Sequence, residues 1–143
     1  MVAGGLALVA AAFFAGAALY VSLAEHPARL TLPDGAALAQ WKPSYERGAA
    51  MQGTLAMAGS ILALIAWLSS DHALWLIGAI LLFANWPVTM LVIMPVNRAL
   101  KAIDPEQPIP EIRSLLDRWG RLHAVRTLLG LASAALMAAA SLG

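Results

Sequence analysis

Residues 2–24 read VAGGLALVAAAFFAGAALYVSLA, an apolar run without a single charged side chain. At about 1.5 Å per residue, a helix of this length spans roughly 34 Å, enough to cross the hydrocarbon core of a bilayer. A signal peptide is the alternative for an N-terminal run rich in small residues. This run lacks the basic start of a signal peptide, and its apolar part is too long. The stretch therefore predicts a first transmembrane helix.

The rest of the chain has the same apolar character. Of its 143 residues, 61% are hydrophobic and only 12% are charged. A water-soluble fold would need charge on every exposed helix face, so the bilayer is the simplest solvent for this chain. The absence of cysteine excludes disulfides and thiolate metal sites, and a net charge of +1 indicates no nucleic-acid partner. We expect one membrane domain over residues 1–143, associated with the lipid bilayer.

Turn signals divide the chain into four helices. Proline disfavours the helical conformation in the residue before it, so Pro27 predicts that the first helix ends near residue 24. Pro43 and Ser44 predict the start of a second helix, with Ser44 as N-cap. The predicted helices are 2–24, 45–69, 73–99 and 111–141. Short connections make sequential neighbours antiparallel, so we predict an all-α fold, a transmembrane four-helix up-and-down bundle.

The basic residues predict how this bundle sits in the membrane. All nine lie in the first and third connections or in the helix turns beside them: Arg29, Lys42, Arg47, Arg98, Lys101, Arg113, Arg118, Arg121 and Arg126. Lys and Arg favour the cytoplasmic side of a membrane. The sequence thus predicts a multi-pass protein of the cell membrane, with these two connections in the cytoplasm and both termini outside it.

Polar residues near the helix ends predict a site on that same side. Trp119, His123 and Arg126 follow one another at i, i+4 and i+7, so they form one stripe of the fourth helix. Tyr45 and Gln52 share a face of the second helix in the same way. Ionisable groups at membrane depth are costly and usually face a bundle interior or a water-filled cavity. We therefore expect a polar pocket at the cytoplasmic end of the bundle.

Three kinds of chemistry fit such a pocket. Glu25, His26 and His123 are candidate ligands for iron, copper or zinc, although adjacent residues point about 100° apart on a regular helix. His26 and His123 are alternatively candidate axial ligands to a haem. Without a cofactor, His123 or Glu25 is a candidate general base, with Arg126 or Arg47 stabilising the resulting anion. Arg126 also has a purely structural interpretation, as a salt-bridge partner of Glu25.

Four segments resemble the signature segments of the anthrone oxygenase-like family. They are SLAEHPAR at residues 22–29, WKPSYERG at 41–48, MPVNRAL at 94–100 and WGRLHAVR at 119–126. Members are small four-helix membrane proteins, and fungal members are associated with oxidation of an anthrone to an anthraquinone by molecular oxygen. The resemblance therefore implies a membrane bundle and an oxygen-using oxidoreductase, a monooxygenase acting on an apolar aromatic or quinone-like molecule that enters from the lipid.

The resemblance also implies catalytic roles for four positions. His123 is expected to be a base or ligand, Arg126 an anion partner, Asn97 a positioning donor and Glu25 a base or ligand. The remaining polar residues of the pocket are expected to bind the substrate: Tyr45, Arg47, Gln52 and Trp119.

The sequence is also compatible with two non-catalytic functions. One is a binding protein for a haem, a metal or a hydrophobic ligand. The other is an assembly subunit that docks a soluble partner through the arginine-rich start of the fourth helix. An enzyme or a binding protein predicts that Glu25, Asn97 and His123 converge on a cavity, and an assembly subunit predicts that they point outward. Small-residue faces on the first and fourth helices are compatible with a homo-oligomer and equally with internal packing.

Overall fold

The computed structural model describes residues 1–143 and contains four long helices and no strands. We number them α1 to α4: Val2–Arg29, Asp34–Ser70, Ala73–Ala102 and Glu111–Leu142. By length and composition, all four can cross a membrane. The predicted fold class, an all-α bundle of four membrane-spanning helices, is confirmed.

The helices follow one another around the bundle. α1 packs against α2 and α4, and α3 packs against the same two helices. One end of the bundle holds the two polar connections, and we call it the polar end. There Arg113 ties the first connection to the start of α4, donating to Asp34 Oδ1 at 2.9 Å and to the carbonyl oxygens of Leu30 and Leu32 at 2.7 Å each. The opposite end, which we call the apolar end, holds both termini and the turn between α2 and α3.

Small residues let the helices approach one another closely toward the apolar end. A Cβ atom placed on Gly130 would lie 2.6 Å from Phe14 Cδ1, and one on Gly4 would lie 2.8 Å from Trp75 Cζ2. Both aromatic rings are buried because glycine leaves room for them on the neighbouring helix. Close contact through small residues is how helices associate in lipid, where burial of apolar surface supplies little driving force.

The outer surface of the bundle is apolar. Large side chains such as Leu91 and Leu128, 77% and 67% exposed, project away from the core on α3 and α4. A soluble monomer rarely exposes apolar patches of this extent, whereas a lipid-facing surface consists of them. The chain is therefore a multi-pass membrane protein in its architecture.

The predicted end of the first helix at residue 24 is wrong. α1 continues through Pro27 to Arg29, and residues Val21–Glu25 form a π turn in which the N–H of His26 donates to the carbonyl of Val21. Proline is tolerated here because it occupies the first turn of the α-helical segment that follows the π turn, where its missing N–H matters least. The polar residues at this end of α1 therefore lie on a helix and not in a loop.

The predicted start of the second helix at residue 45 is also wrong. α2 begins at Asp34, directly after Pro33, and runs through Pro43. Leu38 and Trp41, on the added turns, are fully buried in the core of the polar end. Burying two such side chains contributes roughly 3–6 kcal/mol, which offsets the cost of about 3 kcal/mol for an interior proline. Ser44 is consequently not an N-cap, and its hydroxyl hydrogen-bonds Glu25 instead.

The third and fourth helices end slightly later than predicted, at Ala102 and Leu142. α3 is irregular in its middle, with a break at Ala84 and a second π turn at Thr89–Ile93. The Asn85 amide nitrogen donates back to the carbonyls of Leu81 and Leu82 beside this break, at 3.4 and 3.0 Å. Side-chain donors of this kind let a membrane helix keep a proline, here Pro87.

Candidate functional site

Most buried polar side chains of the chain lie in the half of the bundle next to the polar end. Seven of them, from all four helices, are at most 7% exposed: His26, Arg29, Gln52, Asn97, His123, Arg126 and Thr127. Burying such groups costs free energy unless they find partners. The hydrogen-bond partners of these side chains, and the polar atoms that have none, therefore indicate which groups are available to bind a ligand.

Arg29 organises the outer layer of the site. Its Nη2 donates to Glu25 Oε1 at 2.6 Å and to Ser44 Oγ at 3.3 Å, and its Nε donates to Gln40 Oε1. Its Nη1 lies 2.9 Å from His26 Nδ1. The Ser44 hydroxyl and the Gln40 amide also donate to the Glu25 carboxylate. The network joins α1 to α2, and the Glu25 carboxylate is held inside it by three donors.

His26 is fully engaged in protein hydrogen bonds. Its Nε2 lies 3.0 Å from the carbonyl oxygen of Leu116, which only accepts, so Nε2 carries the hydrogen. Its Nδ1 then accepts from Arg29. Gly120 makes room for this ring, because a Cβ atom there would lie 2.6 Å from His26 Nε2. In this arrangement His26 has no free nitrogen for a metal or a haem, so its predicted role as a ligand is not supported.

His123 differs in having one free ring nitrogen. Its Nδ1 lies 3.2 Å from Ser22 Oγ, and Ser22 Oγ lies 2.8 Å from Thr127 Oγ1. The imidazole stacks on the Trp119 indole, with 4.9 Å between ring centroids. No group of the chain hydrogen-bonds Nε2. The stacking on Trp119 and the hydrogen bond to Ser22 thus fix the orientation of the ring, and Nε2 remains available to bind or accept a proton from a ligand.

Arg126 is a buried guanidinium without a carboxylate partner. Its Nη2 donates to Gln52 Oε1 at 3.1 Å, its guanidinium lies 5.7 Å from the centroid of the Phe14 ring, and its Nε has no partner. The three ion pairs of the chain do not include it. The predicted alternative, a salt bridge to Glu25, is wrong because Glu25 pairs with Arg29. A buried cation without a counter-ion is costly, so Arg126 is available to pair with an anionic group of a ligand.

Tyr45 and Asn97 form the side of the site next to α3. The Asn97 amide nitrogen donates to the Tyr45 hydroxyl at 3.0 Å, and the Tyr45 ring stacks on Trp41 with 4.8 Å between centroids. Asn97 is completely buried, and its Oδ1 has no partner. Tyr45 is therefore fixed in place with its hydroxyl group close to the interior.

Two adjoining cavities lie among these residues. The central cavity, about 20 Å³, lies between α1, α2 and α4, and nine residues line it: Val21, Ser44, Tyr45, Gly48, Ala49, Gln52, Trp119, His123 and Arg126. The lateral cavity, about 190 Å³, lies between α2 and α3, and the residues that line it include Tyr45, Ala49, Gly53, Asn85, Trp86, Met90 and Arg126. The two share Tyr45, Ala49 and Arg126, so Arg126 borders both. A third space, a groove of about 370 Å³ between α1 and α4, reaches His123 past Ser22 and Gly120.

The structure separates the predicted site residues into two layers. Five line the central cavity: Tyr45, Gln52, Trp119, His123 and Arg126. Asn97 joins them through Tyr45, whereas Glu25 and His26 belong to the Arg29 network outside. Arg47 is exposed and makes no ion pair. Of the three residues expected to converge on one cavity in an enzyme or a binding protein, only His123 lines the central cavity. Asn97 and His123 are nevertheless buried, which an assembly subunit with an outward-facing polar end does not predict.

The predicted metal site at Glu25, His26 and His123 does not form. No group of three or more His, Cys, Asp or Glu side chains in the chain is arranged to hold a metal ion. The π turn changes the directions of Glu25 and His26, but Arg29 then engages both side chains. Of the three residues, only His123 offers a free donor atom.

Four residues of the site are not predicted from the sequence. Ser22 and Thr127 position His123, and Thr127 has a signal, since it follows His123 by four residues and shares its face. Arg29 escapes prediction because Pro27 indicates that the helix ends before it. Asn85 is not expected in the pocket, since nothing in the sequence indicates that it lines a cavity together with Arg126.

Comparison with known families finds one match. The profile of the family described as anthrone oxygenase matches residues 41–136, two thirds of the chain. This range holds every residue of α2 and α4 that lines the central cavity, whereas Val21, Ser22 and Arg29 on α1 precede it. No curated protein and no solved structure matches the chain. On the extent of the profile match, the chain belongs to the anthrone oxygenase family.

Proposed function

We propose that this protein is an oxygen-using oxidoreductase that oxidises an apolar, anthrone-like aromatic substrate taken from the bilayer. One observation carries the proposal: at the central cavity, an imidazole with a free nitrogen adjoins a buried guanidinium without a carboxylate partner. A base beside a cation is what removal of a proton from carbon and stabilisation of the resulting anion require.

The hydrogen-bond chain behind His123 favours a base. Thr127 Oγ1 lies 3.2 Å from the carbonyl of Ala18 and 3.3 Å from the carbonyl of His123, and carbonyls only accept. When Thr127 donates to one of them, Ser22 donates to Thr127, and His123 must donate from Nδ1 to Ser22. This order of hydrogens leaves the lone pair of Nε2 free to take a proton, with the ring fixed by Ser22 and Trp119.

Arg126 supplies the complementary charge. The residue is 7% exposed, its guanidinium donates one hydrogen bond to a neutral amide oxygen, and it has no counter-ion. Opposite charges attract several-fold more strongly in such surroundings than in water. An enolate oxygen beside Arg126 would therefore be stabilised where the neutral ketone is not, and that difference lowers the barrier.

The reaction balances with the substrate as the only reductant. His123 takes a proton from a CH₂ group between two aryl rings and conjugated to a carbonyl, which gives an anion delocalised onto the carbonyl oxygen. The electron-rich carbon reacts with O₂, a new C–O bond forms, and the peroxide anion takes back the proton from His123 to give a hydroperoxide. Loss of water from the peroxide breaks the O–O bond, so that R₂CH₂ and O₂ yield R₂C=O and H₂O. The substrate loses four electrons and O₂ gains four.

Oxygen uptake with anthrone by the purified protein in lipid nanodiscs tests this function. We expect catalysed uptake by the wild type and a decrease of about 10²–10⁴-fold in His123→Gln, the range typical of a lost general base. Arg126→Gln is expected to lose about 10²–10³-fold, as when one stabilising donor is removed. His72→Gln, at the apolar end, and Arg118→Gln, on the exposed face of α4, are the matched controls and should retain wild-type rates.

Two outcomes would overturn the proposal. Oxygen uptake by the wild type that does not exceed the rate of anthrone in empty nanodiscs would do so, and tight binding of anthrone in that case would indicate a carrier. Equal rates in His123→Gln and the wild type would also contradict the role of His123 as the base. Anthraquinone formed in a one-to-one ratio with O₂ consumed is the expected stoichiometry.

We also propose that the polar end faces the cytoplasm of the cell membrane, because all nine basic residues lie toward it. The chain has no cysteine, so single-cysteine variants give an unambiguous test. We expect Gln107→Cys to resist, and Asp71→Cys to react with, a membrane-impermeant maleimide added to intact cells. The reverse pattern would show that the polar end is outside.

A further inference from the structure

Asn85 holds a buried hydrogen-bond acceptor that no group of the chain satisfies. Its amide nitrogen donates to the carbonyls of Leu81 and Leu82. Because carbonyls only accept, these bonds fix which amide atom is the nitrogen and which is the oxygen. The residue is 2% exposed, and its Oδ1 has no partner. Buried acceptors without a partner are rare in native proteins, and each calls for an explanation such as a ligand.

The lateral cavity is lined by the residue that carries this acceptor and by a residue that carries an unpartnered donor. Asn85 and Arg126 both line it, and Arg126 Nε is the second buried polar atom there without a partner. The wall formed by α2 is small and apolar at Ala49 and Gly53, opposite Trp86. A Cβ atom on Gly53 would lie 3.7 Å from Trp86 Cζ2, so the missing side chain keeps the space open.

The lateral cavity lies beside the lipid-facing surface between α2 and α3. Trp86 and Met90, which line it, are 38% and 51% exposed on that surface. A shallow apolar groove of about 660 Å³ on the outside of α2 shares Ala49, Gly53 and Trp86 with it. The cavity that Arg126 lines therefore adjoins the surface where a flat apolar molecule dissolved in the bilayer would be.

We infer that the lateral cavity binds the substrate from the bilayer and that Asn85 determines its specificity, by accepting a hydrogen bond from an O–H or N–H group of the ligand. The ligand is a flat, apolar ring system with a carbonyl oxygen for Arg126 and a hydrogen-bond donor for Asn85 Oδ1. The inference rests on the proposed function for the stabilisation of the substrate's carbonyl oxygen by Arg126, which borders both cavities. The binding preference itself does not require turnover.

Binding of two product-like probes tests this inference without catalysis. The probes are 2-hydroxyanthraquinone, whose hydroxyl lies away from the ring carbonyls, and 2-methoxyanthraquinone, which lacks the donor hydrogen. Quenching of tryptophan fluorescence in nanodiscs reports binding, since Trp86 lines the cavity. We expect the wild type to bind the hydroxy compound about 5- to 100-fold more tightly, the range for leaving a buried acceptor unpaired. Equal affinities would overturn the inference, and this comparison needs no variant.

Three variants test whether Asn85 causes the preference for the hydroxy compound. Asn85→Leu should abolish the discrimination, bringing the two affinities within about twofold of each other. Ser133→Ala is the matched control, because Ser133 is also buried and also donates to a helix carbonyl, that of Gly78, but lies in the opposite half of the bundle. It should retain the wild-type preference. Gly53→Phe should fill the cavity and weaken both probes alike.

The two proposals fail in different ways. Binding with the expected preference but no oxygen uptake would remove the proposed function and leave the lateral cavity as a binding site. Catalysed oxygen uptake with no preference between the probes, or with a preference unchanged in Asn85→Leu, would remove the role of Asn85 and leave the chemistry of His123 and Arg126.

Discussion

Gly120→Ala is a small substitution with a large expected effect on the site. Alanine is about 1 kcal/mol better than glycine inside a helix, so the substitution alone should stabilise α4. In this fold, however, the added Cβ would lie 2.6 Å from His26 Nε2 and 2.7 Å from His26 Cδ2. The imidazole cannot stay where it is, and moving it breaks its hydrogen bond to Leu116.

The net effect can be worked out from three contributions. Overpacking costs roughly 1–3 kcal/mol, the lost hydrogen bond about 1 kcal/mol, and the gain in helix propensity offsets about 1 kcal/mol. We therefore expect Gly120→Ala to be destabilised by about 1–3 kcal/mol. Gly16→Ala is the control, since nothing lies within 4 Å of a Cβ atom there, and it should equal or exceed the wild type in stability.

Reversible unfolding in mixed micelles, followed by circular dichroism, measures both changes. A double-mutant cycle with His26→Ala isolates the clash, because the three atoms nearest to the Cβ atom added at Gly120 all belong to the His26 imidazole. We expect a coupling free energy of about 1–3 kcal/mol between the two positions. A stability of Gly120→Ala equal to that of Gly16→Ala, or a coupling near zero, would refute the packing of His26 against α4.

Two further predictions follow from the hydrogen-bond networks. Ser22→Ala removes the partner of His123 Nδ1 and should lower kcat for anthrone oxidation about tenfold. Ser22→Thr keeps the hydroxyl group and should retain most of the wild-type kcat. Equal kcat values for the two variants would contradict this role of Ser22. Arg29→Met leaves the Glu25 carboxylate, 23% exposed, without its cation and should destabilise the bundle by about 3 kcal/mol in the same unfolding assay. Lys101→Met removes the cation of the exposed ion pair with Glu46 and should lower the stability by less than about 1 kcal/mol. Equal losses of stability in Arg29→Met and Lys101→Met would show that burial of the Arg29–Glu25 pair is unimportant.

The sequence predicts the architecture well because a lipid-exposed helix leaves few choices. Once four runs are long and apolar enough, the backbone must satisfy its hydrogen bonds internally, and short connections fix the antiparallel order. The stripe of Trp119, His123 and Arg126 can be found from spacing alone, since α4 is regular over its whole length. The fold class and the side of the bundle that holds the polar groups follow from these two features.

Prolines explain what the sequence does not predict. Pro27 and Pro43 predict helix boundaries, but packing at the polar end keeps both segments helical. That outcome depends on side chains such as Trp41 meeting partners on other helices, which no local pattern reveals. The π turn at Val21–Glu25 likewise alters the direction of His26, whose ring nitrogens meet Arg29 and Leu116. A π turn adds one residue to a helical turn, and whether it forms depends on packing between helices and not on the local sequence.

Anaerobic hydrogen exchange tests the central claim most directly, because it isolates the proton transfer from the reaction with oxygen. The protein in nanodiscs is incubated with anthrone in D₂O without O₂, and deuterium in the CH₂ group is measured by mass spectrometry. We expect the wild type and His72→Gln to accelerate exchange well above the rate in empty nanodiscs, and His123→Gln to lose the acceleration. Catalysed oxidation under air without any anaerobic exchange, or exchange that persists in His123→Gln, would contradict the assignment of His123 as the base.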